Sequence, residues 1–364
     1  MSTHNPSKLT SFYHLISMTL CTLILFVSGH GTAWGADGPV THWGDPSIEG
    51  LWDFRTITPF QRPEQLRDKA VLTPEEAQAF RASVLQRLDV DNRAENESVD
   101  IEGAYNNIWY DWGTELTGDL RTSLIVDPPN GRLPTLTAAA EKQLDEHNRL
   151  RLAPVRDMFS YSADPSTFRP AGPESLGLSE RCLAGFNAGP PLSPSAYNNN
   201  LRIVQTPNHI LLVTEMIHNA RVIPMDGRPH LPTQLKLWSG DARGEWKDDT
   251  LIVRTRNFSD KTAIFQIPAN SIADAAGSGA VGSSESFVLT ERFSRQGETL
   301  LYSYTIDAPE VFTQPFTVNI PMQKSTAPMF EYACHEGNYA LIGMLRGARV
   351  VEAESTTPRT PDNK

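Results

Sequence analysis

From residue 197 onward the chain is a succession of short apolar, β-branched and aromatic runs broken by brief polar turns. Strands are predicted over 201–206, 210–217, 221–225, 235–238, 251–258, 286–295, 299–306, 316–320 and 330–334. Several connections, including Pro207-Asn208, Lys247-Asp248-Asp249 and Gln296-Gly297, are far too short for a crossover, so the strands they join are antiparallel neighbours. The expected fold is mainly β, an antiparallel meander forming a calycin-like barrel or a strongly curved sheet.

The first half has a different texture. Residues 36–72 hold Trp43, Trp52 and several prolines without a sustained period, which predicts an extended arm on the core. Thr73-Pro74-Glu75-Glu76 then places a hydroxyl at N-cap, proline at N1 and a carboxylate at N3, and Ala77, Phe80, Val84 and Leu88 follow at helical spacing. A second helix is predicted from Thr137 to about Arg151, before Pro154. Between the two, Tyr105–Trp112 is aromatic and Asn-rich, and Arg121–Val126 reads as a strand stopped by Asp127-Pro-Pro-Asn-Gly131. Residues 154–194 are dense in Pro, Gly and Ser and predict a long covering segment, pinned where Cys182 falls within it. The Gly/Ser/Ala-rich interval 273–284 is a loop tip; it lacks the Lys-Ser/Thr ending of a phosphate-binding loop.

The N-terminus reads as a secretory signal: Lys8, an apolar run from Leu15 to Val27, then small Ala33 and Gly35 before Ala36. That run is shorter than the roughly 20 residues of a membrane helix, and Cys21 inside it follows Leu20 rather than the small residue that lipid attachment needs. The expected partition is a signal over 1–35 and one mature domain over 36–364. Within that domain, 36–195 hold the arm, helices and Pro-rich segment, 196–351 the β core and 352–364 a disordered tail. Export leaves Cys182 and Cys334, an even pair that predicts a disulfide in an oxidising periplasmic or secreted compartment. The competing reading makes Cys334 a thiol nucleophile beside His335.

Charge narrows the function classes. The 364 residues carry 32 Lys+Arg against 43 Asp+Glu, a net charge of −11, with no basic cluster, which argues against nucleic acid as a partner. The 39% of hydrophobic residues suffices for a core. No HExxH, paired CxxC, GxSxG, Walker loop or dinucleotide fingerprint occurs, and the histidines are scattered, so no metal or cofactor is expected.

Three polar constellations remain. In the first, Glu215, His218, Arg221 and His230 follow or interrupt an apolar strand whose two faces both look buried, so Glu215 is expected to be desolvated and suited to general-base work. A two-residue turn at 218–219 sets Glu215 opposite Val222, whereas a three-residue turn at 217–219 sets it opposite Arg221; the cost of an unpaired buried carboxylate favours the second. The second constellation is Trp238, Asp241, Arg243 and Trp246 in a Gly-punctuated bend, which would suit a rim that stacks a ring or instead mark a bulge. The third is Cys334, His335, Glu336 and Tyr339, held beneath the Pro-rich segment if the disulfide forms.

The stretches Tyr197-Asn-Asn-Asn200 (with Asn199), EMIHNARVIPMDGRPHLP from Glu215, GDARGEW from Gly240, DTLIVRTRNF from Asp249 and EYACHEGNY from Glu331 resemble a family of secreted bacterial proteins. The resemblance implies secretion and a single mature domain, and implies no activity. Taken together the residues suggest a cofactor-independent enzyme using acid/base chemistry on a small, partly apolar substrate. Glu215 or His335 would be the base, Arg221 or Arg243 the oxyanion partner, with His218 and Asp241 beside them. Tyr197, Asn199, Trp238, Trp246, His230, Glu336 and Tyr339 would line the site. The alternatives are a periplasmic, lipocalin-like binding protein in which the same residues orient a hydrophobic ligand, and an envelope scaffold. In a small barrel the lumen is the expected site.

Overall fold

The computed structural model describes residues 38–89, 108, 110–142, 172–175, 178, 181–185, 187–196, 198–259, 263–265, 281–282 and 286–356. The expected signal, Tyr197, the end of the second helix, most of the Pro-rich segment and most of the 273–284 loop lie outside these.

Twelve strands are described: β1 (Gly50–Asp53), β2 (Ile125–Asp127), β3 (Asn200–Gln205), β4 (His209–Thr214), β5 (Ala220–Pro224), β6 (Asp241–Lys247), β7 (Thr250–Arg256), β8 (Ala263–Phe265), β9 (Val281–Gly282), β10 (Val288–Gln296), β11 (Thr299–Asp307) and β12 (Phe316–Lys324). All but β8 and β9, which pair with each other, belong to one antiparallel sheet ordered β5-β4-β3-β1-β12-β11-β10-β7-β6. β1 and β2 share one edge of β12, β1 against Gln323 and Lys324 and β2 against Thr317 and Val318. The sheet curls into a nearly closed barrel, the mainly β, calycin-like fold that the short turns predict.

Strand alternation sets the inside. Phe316, Val318, Ile320 and Met322 of β12, Leu300, Tyr302, Tyr304 and Ile306 of β11, and Leu289 and Phe293 of β10 are all fully buried. Each contributes about 1.5–3 kcal/mol through burial. Aromatic rings occupy the interior, with Phe293 against Tyr302 at 4.9 Å and Tyr302 against Tyr304 at 5.5 Å between centroids. Among the described residues these inward side chains leave one another no accessible surface, so the lumen where the site was expected is taken up by the protein's own core.

The helix over Pro74–Leu88 (α1) carries the predicted capping box: the Thr73 hydroxyl accepts from Glu76 N, and the Glu76 carboxylate accepts from Thr73 N. Thr137 caps the second helix, its hydroxyl accepting from Ala140 N, and residues 138–142 are helical. Cys182 and Cys334 form the expected disulfide, with Sγ atoms 2.03 Å apart, so Cys334 is not a free nucleophile.

Other expectations need correction. The arm contains β1, central in the sheet; Leu51 and Trp52 are buried on both of its faces, so four residues without alternation gave no strand signal. Residues 235–238 make one parallel bridge, Leu237 to Phe258, and leave Leu235 and Leu237 exposed. The Gly-punctuated bend expected over 238–246 is instead, from Asp241 on, the strand β6. Residues 330–334 form no strand because their donors are satisfied elsewhere: Phe330 N by the Glu215 carboxylate and Cys334 N by Tyr332 O. A helix, α2 (Tyr339–Thr356), follows and runs into the supposed disordered tail; Gly343 and Gly347 within it weaken its sequence signal. The strand expected to run to Ile217 ends at Thr214, and Leu211 and Val213 on its outer face are only half-buried.

Nine strands alternate in direction along the sheet path, so the two edges, β5 and β6, run the same way and are not paired with each other. They meet at Gly244 of β6, where a Cβ would lie 2.4 Å from Met225 Sδ and 2.9 Å from Ile223 Cγ2. Gly244→Val should therefore force the edges apart and cost about 1–3 kcal/mol by overpacking; denaturant unfolding beside wild type measures this, and an unchanged midpoint would mean the edges do not touch there. Thiol titration of the unfolded, unreduced protein lacking residues 1–35 should find no free cysteine.

Candidate functional site

Below the Gly244 contact the seam between β5 and β6 opens into a cavity of about 380 Å³. Ala220, Val222 and Pro224 of β5 line one side and Gly240, Asp241 and Ala242 the other. Leu231 and Leu237 come from the connection between the strands, and Arg221, Arg228 and Arg243 supply the cations. Val222, Leu231 and Leu237 are exposed apolar side chains, so the mouth carries apolar surface beside the charged Arg228.

Arg221 points inward from β5 and is buried. Its Nη1 donates to Glu291 Oε1 at 3.0 Å and its Nη2 to Glu291 Oε2 at 2.6 Å, with a weaker bond of 3.4 Å to Thr255 Oγ1. Tyr302 Oη donates to Glu291 Oε1 at 2.9 Å and accepts from Leu192 N at 3.1 Å. Burial pulls the Arg221 pKa down, but the charge and hydrogen bonds of Glu291 outweigh it and hold the guanidinium above its ordinary value. Burial, and then the charge of Glu291, pushes the Tyr302 and Tyr304 phenols well above theirs. Among the described residues, Arg221 Nε and Tyr304 Oη have no hydrogen-bond partner. Glu291, Tyr302 and Tyr304 were not among the sequence candidates. The available signal was Glu291 itself, a charge in the inward register of the otherwise apolar Leu289-Glu291-Phe293 alternation.

Asp241 and Arg243 line the cavity but work as a clamp. Asp241 Oδ2 accepts from Leu231 N at 2.8 Å and lies 3.0 Å from His230 Nδ1, and its Oδ1 accepts from Arg243 Nη1 at 2.6 Å. Arg243 also donates to the carbonyls of Arg228, Pro229 and Ala242, and Asn257 donates to Leu231 O. Together they fasten the segment around Leu231 over the seam. Burial raises the Asp241 pKa, and the Leu231 amide, Arg243 and His230 more than reverse this, leaving it low. At the mouth, Arg228 holds the exposed Asp226 carboxyl down to about 2.

Glu215 lies elsewhere, and the expected Glu215–Arg221 pair does not form. β4 and β5 pair Leu212 with Arg221, and the connection after Thr214 turns through residues 216–218, with Ile217 and His218 both at positive φ. Such backbone in a β-branched residue costs about 1–3 kcal/mol. The turn aims Glu215 at the barrel end, where Oε2 accepts from Asn200 Nδ2 at 2.6 Å and Oε1 from Phe330 N at 2.9 Å. His218 Nδ1 lies 3.2 Å from Tyr332 O. Close by, β1 pairs Asp53 with Asn200, and Arg55 bridges Asp53 and Asp111 in an open cleft of about 630 Å³. Burial, with the charges of Asp53 and Glu215 and against Arg55, raises the Asp111 carboxyl.

The predicted site residues therefore divide. Arg221, Asp241 and Arg243 meet at the seam, with His230 on the clamp, while Glu215 and His218 meet at the barrel end. His335, Glu336 and Tyr339 are exposed beyond the disulfide. Asn199 is fully buried and structural, accepting from Ser195 N and donating to the Ser195 and Asp111 carbonyls. Trp246 packs on the core and Trp238 is partly exposed, and neither lines the seam cavity. Among the described residues, no group of three or more His, Cys, Asp or Glu could hold a metal, and no helix is long and apolar enough to cross a membrane.

No family model and no curated protein matches the chain. Among solved structures, the crystal structure of a mutant of the fluorescent protein UnaG is similar over 35% of this chain and 72% of that one, at 9% identity and a TM-score of 0.20.

Removing Glu291 alone should be severe. Glu291→Leu leaves the Arg221 charge buried and unmatched, at a cost of about 3–5 kcal/mol in chemical denaturation, and adding Arg221→Met should recover most of that. The clamp should be acid-sensitive. Because the folded Asp241 pKa lies below that of an unfolded aspartate, about 3.9, its contribution is complete above that value and lost as pH falls through the lower folded one. The protection of the Leu231 amide against hydrogen exchange, taken relative to the intrinsic rate at the same pH, should fall over that window in wild type, and Asp241→Asn should show the lowered protection already at neutral pH.

Proposed function

We propose that the protein is an exported binding barrel that holds a small, mainly apolar molecule at the β5/β6 seam. The observation that carries this reading is the cavity itself: among the described residues the inward side chains of the strands are fully buried, and the seam opening is lined by Val222, Leu231 and Leu237 with Arg228, Asp241 and Arg243 beside them. A few fixed polar groups in an apolar cavity is the usual composition of a small-molecule site. The acid/base candidates favour binding over turnover, because Glu215 and Asp241 lie in separate places with every carboxylate oxygen already hydrogen-bonded. Export accords with the Cys182–Cys334 disulfide and with the resemblance to secreted bacterial proteins.

Native mass spectrometry of the mature protein, purified without organic extraction, tests the proposal. Wild type should retain a small apolar molecule, and Ala220→Trp, which sets an indole at the mouth, should lose it with the melting temperature unchanged. Equal retention by both would remove the seam as the site. A species that accumulates only in Glu215→Gln would mean turnover at the barrel end and would reinstate the enzyme reading.

A further inference from the structure

We infer that the molecule held at the seam is a short extended peptide that adds to the edge of β5 as an antiparallel strand. This rests on the seam being the binding site and names the class of molecule that binds there. Hydrogen bonds from Thr214 N to Asn219 O and from Met225 N to Asn208 O fix the phase of the β4–β5 ladder. Between them the register sets Leu212 opposite Arg221 and Ile210 opposite Ile223. Bonded and unbonded pairs alternate in an antiparallel ladder, so Arg221 and Ile223 bond to β4 through their backbone. The N–H and C=O of Ala220 and Val222, and the C=O of Pro224, then point the other way, into the seam. Ala220, Val222 and Pro224 line the cavity, and Ala220 and Val222 are exposed to solvent. Among the described residues nothing bonds to the seam-facing N–H or C=O of Ala220 or Val222. A reachable edge with free donors and acceptors is a template for an added strand.

Strand direction and the size of the gap decide what fits. β5 and β6 run the same way, so a segment antiparallel to β5 is antiparallel to β6 as well and stands where a further strand would close the sheet. The approach of Met225 and Ile223 to Gly244 bounds the gap, and its volume of about 380 Å³ is near the low end of ligand cavities. The added strand is therefore a few residues long. Residues directly opposite in a ladder carry their side chains on the same face. Ligand residues opposite Ala220 and Val222 thus lie on the outer face, beside the exposed Val222 in the cavity that Leu231 and Leu237 also line, which selects apolar side chains there. The residue between them falls opposite Arg221 on the inward face, where Ala242 and the core leave little room, which selects a small side chain. Main-chain bonds then supply affinity and the alternate side chains selectivity.

Acetyl-Leu-Ala-Leu-amide, and the same peptide N-methylated at both leucines, test this in NMR titrations of the mature protein at neutral pH. The parent peptide should protect the Ala220 and Val222 amides from exchange, and N-methylation, which removes two donors, should weaken binding about 10-fold or more. Val222→Pro should lose the parent peptide with the melting temperature unchanged, because proline at an edge position whose N–H faces away from the ladder removes no bond of the sheet. If that variant does not fold, the two peptides compared on wild type still decide. Equal binding of the two by wild type would overturn the inference and leave an apolar site at the seam. Absence of peptide binding, with a concentration-dependent dimer that Val222→Pro dissociates, would overturn it in favour of a second copy paired along β5. Absence of peptide binding by a monomer that still retains an endogenous apolar molecule would overturn the peptide class alone, and with no endogenous molecule retained the seam reading falls with it.

Discussion

Nine strands that all pair antiparallel cannot close on themselves with another antiparallel pair, because the first and the last then run the same way. Here those edges are β5 and β6, and the ladder that would seal a barrel of even strand number is missing between them. At Gly244 of one edge the absent Cβ admits Met225 and Ile223 of the other. Beside it, residues 220–222 and 224 of β5 and 240–243 on the other side line the cavity. The connection from β5 to β6 must therefore run across the seam, which is why Leu231 and Leu237 line it. Strand parity thus leaves between β5 and β6 the unpaired seam along which the cavity lies.

An open seam would expose the barrel interior at the depth of Arg221. The guanidinium there is tolerable only because Glu291, reached across the barrel from β10, takes both terminal nitrogens while Tyr302 takes a further lone pair. A buried ion pair of this kind adds little net stability relative to a packed apolar pair, yet losing one partner is severe. Its main consequence is structural: it ties the edge strand β5 to β10 across the interior. Asp241, Arg243 and Asn257 perform the complementary task from the other edge, holding the connection in place with backbone hydrogen bonds that apolar contacts alone would not orient.

The barrel end around Glu215 is organised separately. The left-handed residues Ile217 and His218 turn the chain sharply after β4, so Glu215 faces Asn200 and the Phe330 amide instead of its neighbour on β5. The disulfide draws Cys334 and Tyr332 onto Met216 and Ile217, and His218 reaches the Tyr332 carbonyl. The strain of the turn is thus held by a cross-link and by side-chain bonds to a distant segment. This explains how one chain carries two polar centres that its sequence runs together within a few residues.

Much of the fold was legible because it rests on local chemistry. Alternation marks β3, β4, β5, β7, β10, β11 and β12 as strands and short turns make β3–β4, β4–β5 and β10–β11 antiparallel neighbours, Thr73 and Glu76 announce α1, and an even cysteine pair announces the disulfide. β1 and α2 were not legible, since a four-residue strand buried on both faces has no period and two glycines dilute a helix signal. The partners of charged residues were not legible either. Arg221 and Glu291 lie seventy positions apart, and only the strand order brings β5 and β10 face to face across the interior. Glu215 and Arg221, six positions apart by number, are parted by the backbone sign at Ile217, which no pattern of apolar and polar residues encodes. Sequence alone determined which segments joined by short turns pair and which face of an alternating strand is buried, because those follow from period and turn length. Only the tertiary structure decided which charges meet and where a cavity opens, because these depend on closing the sheet.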